Sequence, residues 1–253
     1  MGTFAFIPQA SAKILRTKPS ASSSWSTFPL TFGSGFEFET DSQETIYDFP
    51  LLLEYNFLEE LKFSIEPNFA HIDPKTAGAR SVTGMGDLET TLEFEFLSET
   101  DFRPAISAEG VVKWPTASDS AFGTGNWDYS IGLIASKDLL FVDLNFEVFY
   151  TFVGSTGQRD TLEFLLSVKK QLNHIFELEG EVVTSIGMGS GSGQSGTLSR
   201  HGAVVASENE FEGLLGLAEH VNKRLKLEEG VIIRNDLSWQ FVIAWEWSFL
   251  GKN

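Results

Sequence analysis

The chain has 253 residues, and its 35 Asp+Glu against 18 Lys+Arg give a formal net charge of −17. Such acidity argues against nucleic-acid binding, which needs basic surface to displace counterions from phosphates, and the absence of Cys removes disulfide scaffolds, thiolate metal sites and Cys nucleophiles together. No run reaches the ~18 apolar residues of a membrane-spanning helix, yet 23 Phe and 6 Trp have to be accommodated.

Residues 1–31 read as a flexible arm, Ser-rich over 20–26, carrying Lys13, Arg16 and Lys18 and no acid. No apolar stretch of about 7–15 residues in it leads to a cleavage site, so the chain reads as already mature. Residues 32–250 read as one β-barrel domain. There, large apolar residues alternate with polar or small ones, segment after segment. The alternation predicts strands near 32–40, 45–56, 60–70, 86–97, 104–114, 126–136, 139–153, 160–170, 174–187, 208–218, 224–234 and 236–249. The last is the clearest. Leu237, Trp239, Phe241, Ile243, Trp245, Trp247 and Phe249 share one face, and Ser238, Gln240, Val242, Ala244, Glu246 and Ser248 the other.

These strands are too long for a soluble sandwich, whose strands average about 5–6 residues. They suit a tilted crossing of a bilayer, which takes about 9–11. The connections after even-numbered strands are short: Phe57–Glu59, Ser98–Arg103, Lys137–Asp138, Gln171–Asn173 and Glu219–Lys223. Most of the others are longer: His71–Met85, Pro115–Gly125, Gly154–Arg159 and Gly187–Glu208. Short turns on one rim and long loops on the other characterise outer-membrane barrels. The expected fold is therefore all-β, a twelve-stranded antiparallel transmembrane β-barrel of the outer-membrane type. It would sit in the lipids of a bacterial outer membrane, short turns periplasmic and long loops extracellular. A large soluble β-barrel or sandwich is the alternative.

Opposite the apolar stripes lie about nineteen acids and five bases. Facing lipid, each charge would cost on the order of 2 kcal/mol, so this face should line the lumen. Glu89, Glu93, Glu95, Glu109, Lys113, Asp143, Glu147, Glu177, Glu179 and Glu181 are the candidates for setting selectivity. At period two they line one face of a strand and do not form catalytic carboxylate pairs. Low-dielectric walls focus such a field, which favours cations. The basic arm, with Lys13, Arg16 and Lys18, is a candidate plug for this lumen, and Trp25, Phe28 and Phe32 could cap its mouth.

His71, His174, His201 and His220 are widely separated in loops or at strand ends, so no metal site or other cofactor is expected. None sits mid-strand beside a Ser in matching register, which speaks against a barrel hydrolase. Gly187–Gly191 imitates a dinucleotide loop, but no helix follows it to hold phosphate. The expected function is not enzymatic: a channel or transporter for ions or small polar or aromatic solutes. A plugged barrel anchoring a larger envelope assembly is the alternative, and the sequence names no oligomeric partner.

Residues 84–150 carry a further signal. Gly84-Met85-Gly86-Asp87 and Arg103-Pro104-Ala105 each open a strand, and Lys113-Trp114-Pro115-Thr116 closes one. Phe122-Gly123-Thr124-Gly125-Asn126-Trp127-Asp128 then leads to Ser136-Lys137. This pattern resembles the outer-membrane barrel family of the MetA pathway of phenol degradation, whose members are regarded as transporters. The resemblance implies a barrel pore more firmly than it implies phenols. The last strand also resembles an outer-membrane insertion signal, although Leu250-Gly251-Lys252-Asn253 follow Phe249.

Overall fold

The structure, a computed structural model, describes residues 29–40, 43–156, 158–188, 210–235 and 238–249. Its strands are β1 (Leu30–Thr40), β2 (Glu44–Asn56), β3 (Leu61–Glu66), β4 (Asn68–Pro74), β5 (Val82–Met85), β6 (Leu88–Leu97) and β7 (Ala105–Trp114). They continue with β8 (Asp128–Asp138), β9 (Val142–Val153), β10 (Asp160–Gln171), β11 (Phe176–Met188), β12 (Glu210–His220), β13 (Leu225–Arg234) and β14 (Trp239–Phe249). All pairings are antiparallel, and β1 pairs with both β2 and β14, which closes the sheet on itself.

The fourteen segments make twelve barrel strands, because β3 continues into β4 and β5 into β6. Pro67 causes the first break, since it has no N–H to give to the ladder. Below it β2 pairs with β3 from Leu53↔Ile65, and above it with β4 from Pro50↔Asn68. The Pro67 carbonyl still accepts from Leu51 N at 3.0 Å, and Asn68 O accepts from Gly86 N at 2.9 Å. The second break lies at Gly86-Asp87.

Expected and observed strands agree to within a few residues, with two corrections. The third barrel strand runs to Pro74 and the fourth starts at Val82, so the loop expected over His71–Met85 shrinks to residues 75–81. Phe69↔Met85 through Ile72↔Val82 are paired in a hairpin. The alternation misleads here because Ala70 and Ile72 face inward while His71 and Asp73 face outward. Lys137 and Asp138 are not a turn but the end of β8; the chain reverses at residues 139–141, where Leu140 takes a φ of 69°.

The outer face carries unpartnered apolar side chains such as Leu92, Leu133 and Leu215. Aromatic pairs flank it at both rims. Trp114 and Trp127 lie 4.6 Å apart and Tyr150 and Phe152 4.8 Å apart toward the long loops, while Phe32 stands 5.3 Å from Trp245 toward the other rim. Amphipathic rings at the two membrane boundaries give this distribution. Phe32 belongs to the outward side of β1 and therefore cannot cap the lumen.

The inner face is not uniformly polar. Leu52, Leu214, Ile232, Val242 and Ala244 form a buried apolar cluster on the lumen side of β2, β12, β13 and β14. On the opposite wall the Phe149 ring lies over Gly132, where an added Cβ would come within 2.3 Å of it.

Candidate functional site

Strand alternation turns all ten candidate selectivity residues into the lumen. Glu89 and Glu93 of β6, Glu109 and Lys113 of β7, Glu147 of β9, and Glu179 and Glu181 of β11 are buried; Glu95, Asp143 and Glu177 are partly buried. The register brings some together: Glu89 faces Lys113 and Glu93 faces Glu109 across β6–β7, while Asp143 faces Lys169 across β9–β10. Glu147 and Glu181 face Leu165 and Ser167 instead.

Among the described residues, ion pairs gather at Lys62, Lys113, Lys226 and Arg234. Lys62 Nζ lies 2.8 Å from Glu93 and 3.4 Å from Glu54. Lys113 Nζ lies 2.7 Å from Asp128 and 3.3 Å from Asp87. Lys226 holds Glu179 at 3.0 Å, Glu177 at 3.8 Å and also Glu228, and Lys169 reaches the same Glu179 at 3.3 Å. Arg234 bridges Glu39 at 2.7 Å and Glu212 at 2.9 Å, and donates to Gln240 Oε1 at 2.8 Å. Gln240 Nε2 in turn donates to Glu37 at 2.5 Å.

Lys62, Lys113, Lys226 and Arg234 thus each sit between carboxylates from different strands. A charge taken out of bulk water needs such partners, because its desolvation otherwise outweighs what it gains. Neutral polar pairs fill the spaces between these clusters, such as Asn145 Nδ2 to Ser167 Oγ at 3.2 Å and Ser130 Oγ with Thr151 Oγ1 at 2.7 Å.

Three contributors are not among the sequence candidates. Asp87 lies at the break between β5 and β6, two residues before Glu89 and buried like it; Gln240 is one polar residue among several on β14. Thr124, which accepts from Lys113 Nζ at 2.8 Å, lies in the long connection expected over Pro115–Gly125. The described histidines stay apart. His71 lies on β4, in a strand and not a loop, with Nδ1 2.6 Å from Thr83 Oγ1; His174 is in a turn, and His220 ends β12. Among the described residues no group of three or more His, Cys, Asp or Glu is placed to hold a metal ion. The candidate plug residues Lys13, Arg16 and Lys18, and also His201, lie outside the described residues.

No protein-family model matches the chain, and no curated protein does. Solved structures resemble it in fold. An outer-membrane channel from Pseudomonas putida F1 superposes with a TM-score of 0.68 at 11% identity, covering 92% of this chain and 100% of its own. The NanC porin gives 0.60 at 11% identity over 87% of this chain and 100% of its own. The KdgM porin, solved with disordered oligogalacturonate, gives 0.58 at 10% identity over 86% and 99%. The fold is therefore the closed β-barrel of outer-membrane porins and channels.

Proposed function

We propose that this protein is a passive outer-membrane channel, not an enzyme, which admits ions and small polar or aromatic solutes and prefers cations. The observation that carries the reading is the closed twelve-strand wall whose inner face bears the acids and whose outer face is apolar. Its surroundings would be outer-membrane lipids, with the short turns periplasmic and the long loops extracellular. Twelve strands give a lumen wider than that of a side-chain-filled eight-strand barrel and narrower than that of a 16-strand porin. Residues 84–150 support placing the chain beside the MetA-pathway phenol-degradation barrels, with compact aromatic molecules as candidate solutes.

The test is single-channel recording in planar bilayers. Discrete conductance steps are expected, with a cation-selective reversal potential that fades as salt shortens the Debye length. Anion preference would overturn the charge assignment. Tight packing of the inner face, where Glu37 and Gln240 are each 1% exposed, favours a second reading of the barrel as a closed anchor. Silence in bilayers from folded protein would support it.

We further propose that the basic arm, with Lys13, Arg16 and Lys18, plugs the acidic lumen from the rim where β1 begins. A chain of 28 residues can extend on the order of 90 Å, so length does not prevent entry. Deleting residues 2–28 should raise conductance, and high salt should mimic the deletion; unchanged conductance would make the arm a tail.

A further inference from the structure

The connection between β7 and β8 does not stand out from the barrel. Its first half replaces a strand: Ser118 N donates to Met85 O at 2.8 Å, and Met85 N donates to Ser118 Oγ at 2.8 Å. Along the same edge of β5–β6, Leu88 N donates to Thr116 Oγ1 at 2.8 Å and Ala117 N to Asp87 Oδ1 at 2.9 Å. The chain then turns at Asp119, whose carbonyl accepts from Phe122 N at 3.0 Å. Phe122 is 2% exposed and clusters with Ile46, Ala70 and Ile72, which β2 and β4 point into the lumen.

Two glycines make room for this arrangement. A Cβ at Gly84 would fall 2.2 Å from Ser118 Oγ and 2.6 Å from the Phe122 ring. One at Gly123 would fall 2.4 Å from the Ala117 Cβ and 2.7 Å from both Asp87 oxygens. The far side of the loop is fastened by Lys113, which contacts Asp87, Asp128 and the loop's own Thr124. Asp87 therefore holds both the ammonium and the loop backbone.

We propose that this loop is a constriction folded into the long-loop mouth of the pore, with Phe122 as its stopper and Lys113 as the positioning residue that clasps it to the wall. The proposal deepens the channel reading and rests on it for its effect on conductance. It gives the Gly84, Asp87, Lys113 and Phe122–Asp128 signature a structural reason. An entrance sized by one clasped loop excludes solutes by width at the rim, before they meet the acidic wall below.

The chain has no Cys, so a single Ala70→Cys places a thiol beneath Phe122. Full-length protein folded into lipid vesicles is treated with a membrane-impermeant maleimide, and heat-modifiable gel mobility checks that the barrel has formed. With the clasp intact, labelling should be slow. Lys113→Met removes a buried ion-pair partner, which shifts the closed-to-open balance on the order of a hundredfold, and labelling should accelerate accordingly. Phe122→Ser changes only the loop and should do the same if Lys113→Met fails to fold. Both variants should also raise single-channel conductance. Rapid labelling with the clasp intact, or labelling unmoved by either variant, would overturn the proposal. Labelling that responds while every variant stays electrically silent would keep the clasp and sink the channel reading instead.

Discussion

The two faces of the same twelve strands follow opposite rules. Outside, Leu92, Leu133 and Leu215 are between 51% and 64% exposed and touch nothing that covers them, whereas inside Glu89, Glu163 and Glu228 are at most 4% exposed. A soluble barrel inverts this arrangement. The two faces differ in where a side chain needs a partner. Lipid is a sufficient solvent for the outer side chains. A charge on the inner face is supplied with counter-charges from other strands, and Lys62, Lys113, Lys226 and Arg234 each reach carboxylates on more than one strand.

The inner face is most sensitive at Lys226, which joins carboxylates of β11 to one of β13. Lys226→Met leaves Glu177, Glu179 and Glu228 crowded without it, and removing one partner of a buried pair costs about 3–5 kcal/mol. Urea unfolding from lipid vesicles should show that loss, and Glu228→Gln in the same chain should recover part of it. A neutral Lys226→Met would mean that water, and not pairing, keeps the inner charges.

Arg tests the outer face directly. At Leu144, outward on β9, it should cost about 2–4 kcal/mol of folding into bilayers. At the neighbouring Asn145 the side chain enters between Asp143 and Glu147 and should cost clearly less. Equal losses at the two positions would remove the membrane assignment. Face alone does not decide tolerance, however. Ala244 points inward, yet it is fully buried against Leu52, Leu214, Ile232 and Val242, so Arg does not fit there either.

How far this was legible in the sequence follows from the same contrast. Where apolar residues face lipid and polar ones the lumen, as in most of β14 and β9, period-two alternation gives strand and face together. At Ala70, Ile72, Val82 and Gly84 the inner face is apolar or bare because Phe122 covers it. The polar phase vanishes there, so the third strand seemed to stop near 70 and the fourth to begin near 86. The acids of the site were legible for the same reason the strands were. Their partners were less so, because which Lys meets which Glu depends on the stagger between strands, and no single segment encodes that stagger.

A smaller effect is expected where the inner face is tightly packed without charge. Gly132 stands under Phe149, which is 2% exposed and has little space to withdraw. Gly132→Ala should cost about 1–3 kcal/mol by overpacking, and Phe149→Leu in the same chain should relieve most of it. The outer face offers no counterpart: at Gly110, which points outward, a Cβ meets nothing within 4 Å, and Ala there should be close to neutral.

The smallest effect concerns Leu140, at a turn where neither face continues. Its φ of 69° is the left-handed region, which costs an L residue about 1–2 kcal/mol. The side chain is 89% exposed and gains nothing from protein contacts in return. The hydrogen bonds that shape the turn use the backbone: Leu140 N donates to Asp138 Oδ1 at 2.8 Å, and Leu139 N to Val142 O at 2.9 Å. Glycine keeps both. Its greater freedom in the unfolded chain takes back part of the relief, so Leu140→Gly should stabilise the folded barrel by about 0.5–1 kcal/mol in the same urea assay. In detergent and in vesicles the gain should be equal if the turn stands in water. A gain in detergent that turns into a loss in vesicles would show that Leu140, with its neighbours Leu139 and Phe141, is immersed at the membrane boundary, and the apolar outer surface would then extend past the strands onto the rim.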